Sequence, residues 1–289
     1  DGVDPETAAI LFTDVSAEST IGSGQRAGFG SAWADYDLDG DLDVFINNKV
    51  NWANAADDST NQLYRNNGDG TFTDVSVLAG VADNGDNHTA TWIDIEPDGD
   101  PDLFVPALLS DNHLYINQGD GTFIDETPDV LKVPYQAFGS ATADFNNDGR
   151  FDLLVTANSL SSWLPEDRGD ESTIFLNQAD GTFTSHPLSR LVPTLDDAQM
   201  RAMGFAIGDL NMDGQIDLFF GNGEPITGAT NRLFLGSVDS SGALSFEDVS
   251  EWIDHPADED DGDEPYRSYP YRTHSSTMID VDHDLDLDL

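Results

Sequence analysis

A nine-residue acidic segment recurs five times in this chain: DYDLDGDLD at 35–43, DIEPDGDPD at 94–102, DFNNDGRFD at 144–152, DLNMDGQID at 209–217 and DVDHDLDLD at 280–288. Aspartate holds position 1 (Asp35, Asp94, Asp144, Asp209, Asp280), position 5 (Asp39, Asp98, Asp148, Asp213, Asp284) and position 9 (Asp43, Asp102, Asp152, Asp217, Asp288) in every copy. Position 3 varies only among oxygen-bearing side chains (Asp37, Glu96, Asn146, Asn211, Asp282), while position 7 varies freely (Asp41, Asp100, Arg150, Gln215, Asp286). Oxygen donors at alternate positions around a sharp turn are what a hard cation such as calcium selects. An arginine side chain cannot ligate that cation, so position 7 is expected to offer its backbone carbonyl. Position 6 is Gly40, Gly99, Gly149 and Gly214, which take positive φ at low cost, but Leu285 in the fifth copy. Four complete sites are therefore expected, with the fifth departing from the pattern.

The segment is not the loop of an EF-hand, which requires a bidentate Glu at position 12 and flanking helices. Position 12 here is Ile46, Val105, Val155 or Phe220, inside the apolar runs VFIN, LFVPA, LLVTAN and LFFGN. Such runs read as buried strands, so each loop joins strand to strand. The loops also sit in a longer repeat. Before each comes a small-residue strand (FGSAWAD, HTATWID, FGSATAD, MGFAIGD, HSSTMID), and after the apolar strand come a third strand such as NQLYRNN, a Gly-rich turn, and a fourth strand such as TFTDVS.

Four short antiparallel strands per repeat is the content of a β-propeller blade. The expected fold is all-β, a single propeller domain over 1–289 with full blades at 29–76, 88–127, 138–187 and 203–250. Residues 11–16 (LFTDVS) match an outer strand, and 274–289 begin a further blade, so the chain is expected to be cut short at its C-terminal end. Alanines and glycines of the first strands (Ala32, Ala34, Ala141, Ala143, Ala206, Gly208) suit the crowded centre. Phe72, Phe123, Phe183 and Phe246, in one register, are expected to pack between blades.

Charge limits the partners. Fifty-six acidic residues against 11 basic ones give a net charge of −45, which repels nucleic acid and anionic membranes. With no cysteine, neither disulfides nor thiol chemistry is open, and bound calcium is the expected staple. Weak calcium sites fill outside the cytosol, so a secreted or cell-surface setting is expected. No run reaches the roughly 18 apolar residues of a membrane span.

The combination FGSAWADYDLDGDLDVFINN followed by NQLYRNNGDGTFTDVS resembles the FG-GAP/VCBS repeat, in the form found with ASPIC/UnbV and cartilage-acidic proteins. The resemblance covers nearly all of 11–289. It implies an integrin-α-like propeller, usually seven-bladed, with calcium held in the hairpin between the first two strands by side chains at positions 1, 3, 5 and 9 and a carbonyl at position 7. Departures are Leu285, the longer Glu96, Pro101, and the replacement of the FG pair by His88-Thr89, Met203-Gly204 and His274-Ser275.

No nucleophile or metalloprotease motif is present, and the chain is expected to be non-enzymatic. His88 and His274 share a register facing the expected channel. His113, His186 and His255 share none and have no evident partner, and His283 is a loop residue. Trp52, Trp163, the acidic DEDDGDE at 258–264 and the YRSYPYR at 266–272 mark inserted loops, where binding specificity tends to reside. The expected role is a calcium-binding adhesion, matrix or filament-associated module with a protein or glycan partner. Alternatives are a carbohydrate-binding lectin or the accessory propeller of a larger secreted hydrolase or lyase.

Overall fold

The computed structural model describes residues 2–3, 10–11, 13–22, 28–49, 59–108, 110–132, 137–157, 171–195, 202–222, 231–253 and 277–278. Four antiparallel sheets of four strands carry the chain, each in simple sequence order. The first blade comprises Gly28–Ala34, Asp43–Asn48, Gln62–Asn66 and Phe72–Asp74, and the second Thr91–Ile93, Asp102–Val105, His113–Asn117 and Phe123–Asp125. The third comprises Ala137–Ala143, Asp152–Ala157, Thr173–Asn177 and Phe183–Pro187, and the fourth Ala202–Gly208, Asp217–Asn222, Arg232–Val238 and Leu244–Asp248. The first strands of consecutive blades lie beside one another. That places them innermost, with the later strands of each sheet radiating outward as in a propeller.

The second strands bury almost every residue: Val44, Phe45, Leu103, Phe104, Val105, Leu153, Leu154, Val155, Leu218 and Phe220 are at most 1% exposed. A strand covered on both faces must be a continuous apolar run rather than an alternating one, which is why the VFIN and LLVTAN segments read as they do. Between blades, Phe123, Phe183 and Phe246 are buried in three successive core clusters. Phe72 is half-buried against Trp33 of its own blade, ring centroids 6.3 Å apart.

The inner strands carry a bulge where the sequence shows its FG pair. Pairing shifts by one residue between Gly28 and Gly30, and again between Ala137 and Gly139. Gly30 is required by close approach: a Cβ there would lie 2.4 Å from the carbonyl oxygen of His88. The second blade has Thr89 at this register, and its inner strand is shortened to Thr91–Ile93 rather than the expected 88–94, with a separate bridge from Asn87 to Ala107.

Two outer-strand expectations need correction. Segment 11–16 is not one strand: Ile10–Leu11 pairs with Gly2–Val3, and Ser16–Ser19 is a helical turn. Similarly TFTDVS ends as a strand at Asp74, and Ser76–Ala79 is helical. The reason is a side-chain clamp. Asp74 Oδ1 accepts from both the N–H and the hydroxyl of Ser76, whose Oγ accepts from the N–H of Leu63 at 2.9 Å. Such local bonds compete with the strand ladder. The clamp recurs with Asp125, Thr127 and Leu114 and with Asp248, Ser250 and Leu233, and Asp14 binds Ser16 in the same way.

Candidate metal centre

Each described loop leaves an inner strand at position 1 and enters the second strand at position 9, and its two terminal aspartates hold it in shape. In the first loop the N–H groups of Asp39 and Gly40 donate to the two carboxylate oxygens of Asp35, each at 3.0 Å. Asp94, Asp144 and Asp209 receive the matching pairs at 2.8–3.2 Å.

Position 9 acts from the other end. Asp43 accepts from Tyr36 N–H at 3.2 Å and from Asn66 N–H, on the third strand, at 2.7 Å. Asp102 bonds Ile95 and Asn117, Asp152 bonds Phe145 and Asn177, and Asp217 bonds Leu210 and Gly236. Each position-9 oxygen thus serves the loop's shape before any ion, keeping a second lone pair. Burial pushes these carboxyls up, Asp43 to about 6 and Asp102 and Asp152 to about 7, while the N–H donors pull the other way. Asp217 is raised by the same cause.

Positions 3 and 5 add converging charge. One carboxylate oxygen each from Asp35, Asp37 and Asp39 lie within 4.8 Å of one another, and Asp37 Oδ1 is buried without a hydrogen-bond partner. Desolvation and then the charge of Asp39 raise the Asp37 carboxyl. Carboxylates this close repel, and a buried oxygen without a donor is costly. A hard divalent cation answers both, and an all-oxygen donor set selects calcium or magnesium over softer metals. The residues present fit such an ion.

The other loops vary the theme. Asn146 and Asn211 turn their amide Nδ2 toward Asp148 Oδ2 and Asp213 Oδ2, at 2.8 and 3.1 Å. Burial, with the neighbouring Glu96 carboxylate adding to it, raises the Asp102 carboxyl, the neighbouring Asp98 raises that of Asp100, and the Asp100 N–H donates to Asp98 Oδ1 at 3.3 Å. Position 7 side chains lean toward the outer hairpin: a Cβ on Gly68 would sit 2.8 Å from Asp41 Oδ2, and one on Gly119 would sit 3.3 Å from Asp100 Oδ2. Arg150 Nε donates to Asn177 O at 2.9 Å. That direction supports the carbonyl as the position-7 donor.

Two features of the loops were not read from the sequence. Leu38, Asn147 and Met212, all at position 4, adopt φ of 56°, 57° and 57°, a left-handed conformation that only asparagine among them favours. In the first three loops position 2 plugs the next blade. Tyr36 lies between Trp92 and Phe123, with centroids 6.3 and 5.6 Å away. Ile95 shares a core with Phe183 and Phe145 shares one with Phe246, while Leu210 packs against the Ala206, Phe219, Leu233 and Val249 cluster of its own blade. The signal was available, because position 2 is apolar in every copy (Tyr36, Ile95, Phe145, Leu210, Val281). The plug is also clipped: Asn117 and Asn177 donate their side-chain amides to the carbonyls of Tyr36 and Ile95, at 2.8 and 3.3 Å.

A family model described as an FG-GAP-like repeat matches residues 50–105 and 107–155. Residues 50–155 of the chain thus carry FG-GAP-like repeats. The chain is 25% identical over 239 residues to human (Homo sapiens) Cartilage acidic protein 1, and 24% identical over 239 residues to the mouse (Mus musculus) protein; each match covers 77% of the chain. It spans only 33% of the length of these curated relatives. Among solved structures, an Agrocybe aegerita lectin that recognises non-reducing terminal N-acetylglucosamine aligns at 18% identity with a TM-score of 0.45. That alignment covers 75% of this chain and 50% of the lectin. The four four-stranded sheets and the repeat matches, rather than this likeness, carry the propeller assignment.

Ring packing and side-chain contacts account for the three histidines among the described residues. His88 is buried, stacked on Phe29 at 4.3 Å and edge-on to Phe138 at 4.4 Å, with Nε2 3.7 Å from Asp86. His113 does have a partner, contrary to the sequence reading: its Nδ1 lies 2.8 Å from Asp125 Oδ2, and its ring stacks on Tyr115. His186 contacts Thr184 Oγ1 at 3.0 Å. The fifth acidic segment (Asp280, Asp282, Asp284, Asp286, Asp288), Trp52, Trp163, His255, His274, His283 and the inserts at 258–264 and 266–272 lie outside the described residues.

Proposed function

We propose that this chain is a calcium-binding, non-enzymatic interaction module that works outside the cell or on its surface. The observation that carries the reading is the convergence of Asp35, Asp37 and Asp39 oxygens within 4.8 Å, in a loop whose position-2 residue plugs the next blade. When bound, calcium supplies two positive charges at the centre of each loop and so offsets carboxylate repulsion in a chain of net charge −45. The chain's own residues do the rest. Positions 1 and 9 fix the loop, positions 3 and 5 supply oxygens, and position 2 of the first three loops passes the loop's order to the neighbouring blade.

The sites would serve as structural clasps, with partner binding, to protein or glycan, left to the loops between them. Extracellular calcium, near the range in which weak oxygen-ligand sites fill, suits this use. No helix among the described residues is long and apolar enough to cross a membrane. The deciding experiment is calorimetric calcium titration of the chelator-treated chain, followed by thermal melting. Saturable binding of about four ions together with a higher melting temperature is the expected result. No binding, or binding without stabilisation, overturns the clasp.

A further inference from the structure

The third and fourth loops, DFNNDGRFD and DLNMDGQID, form a natural comparison. Both place Asn at position 3 and Asp at positions 1, 5 and 9. In both, the position-3 Oδ1 accepts from the position-5 N–H at 3.1 Å while its Nδ2 faces the position-5 carboxylate. At position 7 they diverge. Gln215 is neutral, whereas the Arg150 guanidinium pairs with Asp148 Oδ2. Arg150 Nε is anchored on the carbonyl of Asn177 at 2.9 Å, and Asn177 is itself tied to Asp152 and to Ile95 of the second loop. The positive charge is therefore held on a metal-ligating carboxylate by the strand framework.

We propose that Arg150 makes the third loop the weakest of the four calcium sites, the last to fill and the first to empty as calcium falls. This rests on the calcium reading above. A bound divalent ion would share Asp148 with a fixed unit charge or displace it. Even with water-like screening, that repulsion weakens binding by about tenfold relative to the fourth loop. The same ion pair neutralises part of the third loop's charge when metal is absent, so this loop depends least on calcium for its shape. The first and second loops, with carboxylates at all five odd positions, occupy the other end of the scale, since affinity follows ligand charge count. Loop sequence thus grades otherwise identical clasps.

The test is calorimetric calcium titration of the intact chain and of three variants, with circular dichroism to confirm folding. The wild type should show one step about tenfold weaker than the fourth site. Asp148→Asn should delete that step, which locates it. Arg150→Gln should merge it with the tighter ones at unchanged stoichiometry, and Gln215→Arg should create a second weak step. If calcium binds but Arg150→Gln and Gln215→Arg leave the titration unaltered, the role of Arg150 is overturned while the calcium sites stand. If the wild type binds no calcium, both fall together.

Discussion

The side-chain amide of Asn117 donates to the carbonyl oxygen of Tyr36 at 2.8 Å, across 81 residues of sequence. This bond runs from the third strand of the second blade to the acidic loop of the first, so the loop is also part of the seam between blades. The same relationship joins Asn177 to Ile95. Anything that orders the loop also orders the neighbour, so an ion bound there would stiffen the seam as well.

Removing the clip should loosen the seam. Asn117→Ala leaves the Tyr36 carbonyl without its buried donor and should cost about 1–3 kcal/mol, read as a lower urea midpoint. Asn66→Ala, whose Nδ2 serves an exposed bond to Leu42 O, should cost far less. Equal losses for the two variants would show that the seam bond has no special weight.

The plug can be tested apart from the clip. Tyr36 is 2% exposed and fills the space beside Trp92 and Phe123. Tyr36→Ala should destabilise by about 3–5 kcal/mol, the range for truncating a buried aromatic, while Tyr36→Phe should remain near wild type. A mild effect of the alanine variant would mean that the blades do not depend on this contact.

Ligand assignments predict stoichiometry. Asp39→Ala should abolish one ion and leave the other sites intact, whereas Leu38→Ala, exposed at position 4, should leave the count unchanged. Calorimetry that still returns the full complement for Asp39→Ala would refute the donor set.

Stability should depend on pH in opposite ways with and without calcium. Burial raises Asp43 to about 6 and Asp102 and Asp152 to about 7, above the unfolded value of about 3.9. The metal-free folded chain therefore binds more protons than the unfolded chain between about pH 4 and pH 7. The stability from these groups is present below about pH 4 and is lost as pH rises through their folded values. Calcium requires the deprotonated forms and binds better as pH rises. The gap in melting temperature between calcium-loaded and chelated protein should widen from pH 5 to pH 8. A gap that stays constant would refute the link between these carboxylates and the metal.

Much of this protein was determined by sequence alone. Fixed aspartates at alternate positions, a glycine where φ must be positive, and an apolar strand after each loop are local requirements, so periodicity exposed the four strands of each blade and the turn between the first two. Outer strands were read too long because the clamps at Asp74–Ser76 and Asp14–Ser16 end them with side-chain bonds, and alternation of apolar residues does not report such bonds. What only the tertiary structure decided lies in contacts between strands of one blade and between neighbouring blades. The Asn117–Tyr36 clip, the plug of Tyr36 between Trp92 and Phe123, the His113–Asp125 pair and the anchoring of Arg150 on Asn177 all join residues whose separation in sequence is set by strands and hairpins. The last two come into reach when the strands of their own blade pair, the first two only once neighbouring blades have packed, because no local period encodes which blade lies beside which.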